Sequence, residues 1–176
     1  MKTLRHTYKK GFTIIESLVA ITVLVLAVTG SMTAVQTGIS SYIYSKNQII
    51  AFYLAQEAVE QIKNIRDENR LAGAHWLNGL AVSSSDPCYF GHACTVSPVE
   101  STIPTRCNAP GSCPVLRQNS STKFYGYNGS WSSTVFRREI QLTSIAENEV
   151  AITVTVNWSK GIITRQFKAQ ENILNW

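Results

Sequence analysis

The residues of this chain whose types and spacing could do chemistry are four cysteines and one glutamate set in an apolar run. Cys88, Cys94, Cys107 and Cys113 follow the spacing C-x5-C-x12-C-x5-C. An even number of cysteines in a polar, turn-rich stretch reads as a disulfide framework in an oxidising compartment. Tetrathiolate zinc needs tighter spacers. A metal cluster of Cys88, His92 and Cys94 can be drawn, but an oxidising compartment argues against it. Three pairings are open. The local ones, Cys88 with Cys94 and Cys107 with Cys113, are favoured because Gly91 and Gly111 let each short loop close. The three histidines, His6, His75 and His92, are scattered, and there is no nucleophile elbow, phosphate-binding glycine loop or pair of catalytic carboxylates. Asp67 and Asp86 are the only aspartates, too few for a calcium loop. An enzyme, a cofactor and a metal site are therefore not expected. Trp76, Tyr89, Phe90, Tyr125, Tyr127 and Trp131, with Lys123, Arg137 and Arg138, could suggest nucleic-acid contact. Core packing and solvated charge explain them more simply, so nucleic acid is not an expected partner.

Glu16 is the fifth residue of the run FTIIESLVAITVLVLAV, Phe12 to Val28. Extended to Met32, that run is long enough to cross a hydrocarbon core as a helix. A carboxylate at the centre of a membrane costs roughly 2.5–3.5 kcal/mol, and no cation follows Glu16 until Lys46. Its charge needs a partner from outside its own helix. Lys2, Arg5, Lys9 and Lys10 precede the run and carry four of the five excess positive charges of the chain, leaving the rest nearly neutral. Basic-protein chemistry thus belongs to the leader, and the positive-inside bias keeps residues 1–11 cytoplasmic with the remainder outside. A secretory signal would end in a small-x-small cleavage site, and Ala27-Val28-Thr29 only approximates one.

The segment Lys9-Lys10-Gly11-Phe12-Thr13-Ile14-Ile15-Glu16-Ser17-Leu18-Val19-Ala20 resembles the class III signal of type IV prepilins and secretion pseudopilins. The resemblance implies cleavage between Gly11 and Phe12 by a prepilin peptidase, N-methylation of Phe12 by the same enzyme, and an assembly role for Glu16 beside the Phe12 amine of a neighbouring subunit. It further implies storage in the bacterial inner membrane as a single-pass protein with a cytoplasmic N-terminus, then an extracellular or periplasmic filament. The implied partners are other pilin subunits, the peptidase/methylase, an inner-membrane assembly platform and membrane lipid. Residues 12–46 contain no proline, unlike many filament-forming pilins, so no sharp kink is expected.

The elements that must position these residues follow from periodicity. Ile39, Ile43, Ile50, Leu54, Ala58, Ile62 and Ile65 recur at helical steps, with Lys46, Gln48, Glu57, Glu60, Lys63 and Asp67 opposite and Gly73 as a stop. A single helix from Phe12 to Arg70 would be about 89 Å long at ~1.5 Å per residue. From Leu71 to Gln118 no period holds, and glycine, proline, serine and asparagine are frequent. Lys123 to Tyr127 is a short candidate strand. Phe136, Arg138, Ile140 and Leu142 alternate with polar neighbours, as do Val150, Ile152, Val154, Val156 and Trp158. Ser159-Lys160-Gly161 fits a hairpin turn into a strand with Ile163, Phe167 and Ala169 on its apolar face and Arg165 as the exception.

The fold expected is α+β: a long N-terminal helix, half transmembrane and half amphipathic, packed on a C-terminal antiparallel meander, with a disulfide-containing loop region. The expected organisation is a leader at 1–11, a transmembrane and assembly helix at 12–32, its amphipathic continuation at 33–70, the Cys region at 71–122 and the sheet at 123–176. The function the resemblance implies is a structural, minor-type subunit of a type IV pilus or related filament. The alternatives are a pseudopilin of a type II secretion system and an adhesive or DNA-binding tip pilin.

Overall fold

The computed structural model describes residues 11–99 and 101–176; the leader cations Lys2, Arg5, Lys9 and Lys10, and His6, lie outside the described residues. One helix, α1, runs Ile14–Leu71, and the chain divides into two compact units, Met1–Ser45 and Lys46–Trp176.

In the first unit the side chains from Gly11 to Tyr42 are all exposed. Its hydroxyls turn back onto the helix: Thr22 donates to the Val19 carbonyl, Thr29 to Val25, Ser31 to Val28, Thr33 to Thr29 and Thr37 to Thr33. Polar side chains satisfied in this way leave an outer surface that suits hydrocarbon. Of the sequence stripe, Ile39 belongs here and stays exposed.

In the second unit the rest of α1 covers one face of a seven-stranded antiparallel sheet. The helix stops as its last residues dictate. Gly73, at φ +69°, lets its N–H reach the Arg70 carbonyl while Ala74 N–H reaches Asn69, a Schellman cap. The strands are β1 Ala93–Ser97, β2 Ser101–Arg106, β3 Val115–Gln118, β4 Tyr125–Gly126, β5 Ser132–Ala146, β6 Glu149–Lys160 and β7 Ile163–Leu174. Strand β5 is the spine. On one side it pairs with β6, which pairs with β7. On its other side it pairs with β3 near its start and β1 near its middle, and these carry β4 and β2 at the edges. The alternation expected in β5 and β6 is observed: Phe136, Ile140, Leu142, Val150, Ile152, Val154, Val156 and Trp158 are buried against Ala51, Leu54, Ala55, Ala58, Ile62 and Ile65 of α1. Each large aliphatic side chain buried in this way contributes about 1.5–3 kcal/mol.

Three strands, β1 to β3, occupy the stretch in which no period was found. They are short, and each is defined by a distant partner rather than by its own pattern: Cys94 opposes Ile140 and Val115 opposes Arg137. All five residues of β1 are buried, so no two-residue alternation exists there to detect.

Candidate functional site

Phe12 and Thr13 precede the first turn of α1, and Phe12 is exposed. The Thr13 hydroxyl accepts the Glu16 N–H at 3.3 Å. Thr13 is thus the N-cap and Glu16 the third helical residue, the T-x-x-E spacing of a capping box. A carboxylate in the first turn also opposes the positive end of the helix dipole. The Thr13-to-Glu16 spacing is the sequence signal for this cap. The cap satisfies a backbone N–H and leaves the carboxylate unneutralised: among the described residues Glu16 makes no ion pair. The surrounding surface is apolar, with Ile14, Ile15, Leu18, Val19 and Ile21 all exposed.

One family model, the prokaryotic N-terminal methylation motif, matches residues 6–32. This is the signal of type IV prepilins and pseudopilins. The match lies on the segment whose helix is long and apolar enough to cross a membrane and none of whose span is buried within the chain. The match and the long apolar helix support a pilin-like filament subunit and fit anchoring in a membrane. No curated protein and no solved structure matches the chain.

The chain carries two disulfides, Cys88–Cys94 and Cys107–Cys113, the local pairing among the three that were open. They sit on opposite faces of β1. Cys88 and Cys94 lie in the main core beneath α1, whereas Cys107, Cys113 and Ala93 form a small cluster on the outer face. The second loop is fastened to β5: Gly111 N–H donates to Glu139 Oε2 at 2.5 Å, and the Arg137 guanidinium donates to the Cys113 carbonyl. Gly91 and Gly111 have φ of +84° and +81°, the left-handed conformation that closes each loop. Cys88 and Cys94 are bonded to each other, so the drawn cluster with His92 has no thiolate to offer. His92 Nε2 lies 2.8 Å from the Arg106 guanidinium instead.

The aromatic and basic residues considered for nucleic acid do not form one surface. Trp76 is buried, Arg137 is tied to the Cys113 carbonyl, and Arg138 is completely buried. Arg138 donates to the Leu54 carbonyl at 2.9 Å, to Glu57 Oε1 at 2.9 Å and to the Val96 carbonyl at 2.6 Å. One side chain of β5 therefore fastens α1 to β1 through the core. Tyr127 lies beside it: burial pushes the Tyr127 hydroxyl above its ordinary pKa, and the Arg138 charge offsets part of that rise. Arg138 occupies an inward position of the β5 alternation, and that misplaced charge was the sequence signal for a buried polar clamp. At the far end of α1, Arg66 stacks 4.7 Å over the Trp176 ring and donates to the Leu174 carbonyl at 3.4 Å, which secures the end of β7.

Proposed function

We propose that this chain is a minor pilin, a low-copy structural subunit of a type IV pilus or related filament. It is held in the inner membrane by residues 12–32, cut between Gly11 and Phe12 by the prepilin peptidase, methylated at Phe12 and drawn into the filament through α1. The observation that carries this reading is an exposed, uncharged helical surface with one unneutralised carboxylate, Glu16, at its start. The Phe12 amine released by cleavage is protonated near neutral pH. In a bundle of axially offset helices it neutralises Glu16 of a neighbour, and low dielectric strengthens that pairing while penalising each charge alone. Assembly then relieves a cost that the stored subunit bears. The segments Phe12 to Ala20 and Ala55-Gln56-Glu57-Ala58-Val59-Glu60 resemble minor pilins more than abundant ones.

The test compares cleaved protein in membranes with protein in sheared filaments. Glu16→Leu leaves cleavage and insertion intact and lowers incorporation, and Glu16→Asp is milder where the shorter side chain still reaches. Incorporation of Glu16→Leu at the wild-type level would remove the charge-pairing mechanism. Copy number in the same filaments separates the minor subunit from its alternatives: a few copies confined to one end assign a tip adhesin or DNA-binding pilin.

A further inference from the structure

The edges of the sheet differ in how they are protected. β2 contains Pro104, which has no N–H to offer, and pairs with β1 through a register shift between Thr95 and Ser97. β4 is two residues long. β7 is the exception: its twelve residues pair with β6 without a break in register, and no described strand lies on its other side. A long, regular edge is a template for another strand, and folded proteins normally blunt or cover it.

Which main-chain groups of β7 are bare follows from one bond. Asn175 N–H donates to the Asn148 carbonyl at 3.0 Å, in the register of the β6–β7 ladder. Bonded pairs of an antiparallel ladder recur at every second residue. The odd-numbered residues of β7 therefore bond to β6, and Thr164, Gln166, Lys168, Gln170 and Asn172 turn their N–H and C=O outward. Leu174 belongs to the same outward series, and its carbonyl is taken by Arg66 of α1. Among the described residues the main-chain groups of the other five have no partner.

A groove runs beside this edge. Phe167 and Ala169 oppose Val156 and Val154 and so lie on the core side of β7. Together with Phe52 and Val59 of α1 they line a groove of about 230 Å3, and Lys63, paired with Glu171, lines it too. Phe52 is 41% exposed and meets Phe167 edge to face at 5.7 Å. The other face of β7 is polar: Gln166, Lys168 and Gln170 oppose Asn157, Thr155 and Thr153. Lys168 makes no ion pair among the described residues, and no aspartate or glutamate occurs from Val150 to Gln170. All of these groups belong to the second unit.

We propose that the outer edge of β7 receives an extended segment of another protein as an added antiparallel strand. Main-chain hydrogen bonds to Thr164, Gln166, Lys168, Gln170 and Asn172 supply the affinity, and side chains at alternate positions supply the specificity. The segment carries apolar residues on the face that enters the groove between Phe52 and Phe167, and an acid on the other face against Lys168. This attachment needs nothing from the Met1–Ser45 unit.

The test uses the full chain in mild detergent and a nine-residue synthetic peptide in which valine alternates with threonine and glutamate. With the valines in the groove, the threonine and glutamate amides face β7. The expected result is saturable binding, read by fluorescence anisotropy of the labelled peptide, with slowed hydrogen exchange at the Gln166, Lys168 and Gln170 amides. N-methylation of the threonine and glutamate amides lowers affinity roughly fivefold for each bond blocked, and N-methylation of the valine amides leaves it unchanged. Lys168→Gln lowers affinity by up to about fivefold. Gln170→Pro removes an outward N–H without touching the β6 ladder, so it weakens binding at an unchanged urea midpoint. Where Gln170→Pro fails to fold, the methylated peptides carry the test. No binding, or binding that leaves the edge amides unprotected and ignores the methylation pattern, overturns strand addition. Protection of the same amides in the chain alone, rising with its concentration, assigns the edge to a second copy and overturns the proposal as well.

Discussion

Arg138→Ala tests the architecture where it is most exacting. The guanidinium is fully buried and makes three directional contacts, to the Leu54 and Val96 carbonyls and to Glu57. Removing it strands the Val96 carbonyl and the inner side of Glu57 and opens a cavity. Breaking a buried ion pair by deleting one partner costs about 3–5 kcal/mol, a large share of the ~5–15 kcal/mol by which domains are stable. Glu57, whose side chain is 35% exposed, can turn toward water, which places the expected loss at the lower end, about 3 kcal/mol. Arg138→Met keeps volume and should lose less. The assay is urea denaturation in mild detergent followed by tryptophan emission, because Trp76, Trp131, Trp158 and Trp176 all lie in the second unit. A double-mutant cycle with Glu57→Gln isolates the pair, with about 1.5–3 kcal/mol of coupling expected for a charged hydrogen bond. A loss below about 1 kcal/mol for Arg138→Ala would refute the reasoning, since it would mean the core carbonyls are satisfied without the arginine.

Three further outcomes follow from the same structure. Gly11→Val should block processing, because the residue before the scissile bond must let the peptide approach the peptidase closely; equal gel mobility in peptidase-positive and peptidase-deficient cells is the expected readout, and normal maturation would move the cleavage site. Reduction should loosen residues 88–113 without unfolding β5 to β7, whose apolar face is covered by α1; hydrogen exchange by mass spectrometry checks this, and free thiols in material prepared without reductant would contradict the disulfides. Tyr127→Phe should weaken the alkaline loss of stability: the folded hydroxyl titrates above its ordinary value of 10.0, so the unfolded chain ionises first and stability falls as pH rises through and beyond about 10. Urea midpoints at rising pH would show an unchanged slope in the variant if burial of Tyr127 plays no part.

How much of this was legible in the sequence depends on how far each residue's partner lies. The helix, its Gly73 stop, the β5–β6 alternation and the left-handed Gly161 are local signals and are observed, although Ser159 and Lys160, expected in the turn, are the last paired residues of β6. Tyr125–Gly126 falls within the short strand expected at 123–127. Strand β1 carries no alternation because both its faces are covered, one by the core and the other by the Cys107–Cys113 loop, and β2 and β3 are short strands defined by distant partners. The Arg138 clamp joins residues 84 apart in the case of Leu54, and no spacing rule connects them. Glu16 shows the opposite case: its N–H bonds the Thr13 hydroxyl three residues away, a contact wholly local in the sequence.

The central claim is that this chain is processed and assembled as a pilin-like subunit, and the N-terminus of the protein in sheared filaments tests it most directly. Mass spectrometry of the N-terminal peptide should find it beginning at Phe12 and carrying one methyl group, with the uncut leader retained in peptidase-deficient cells. A chain recovered from filaments with its leader intact, or one cut after Thr29 and absent from filaments, would contradict the account.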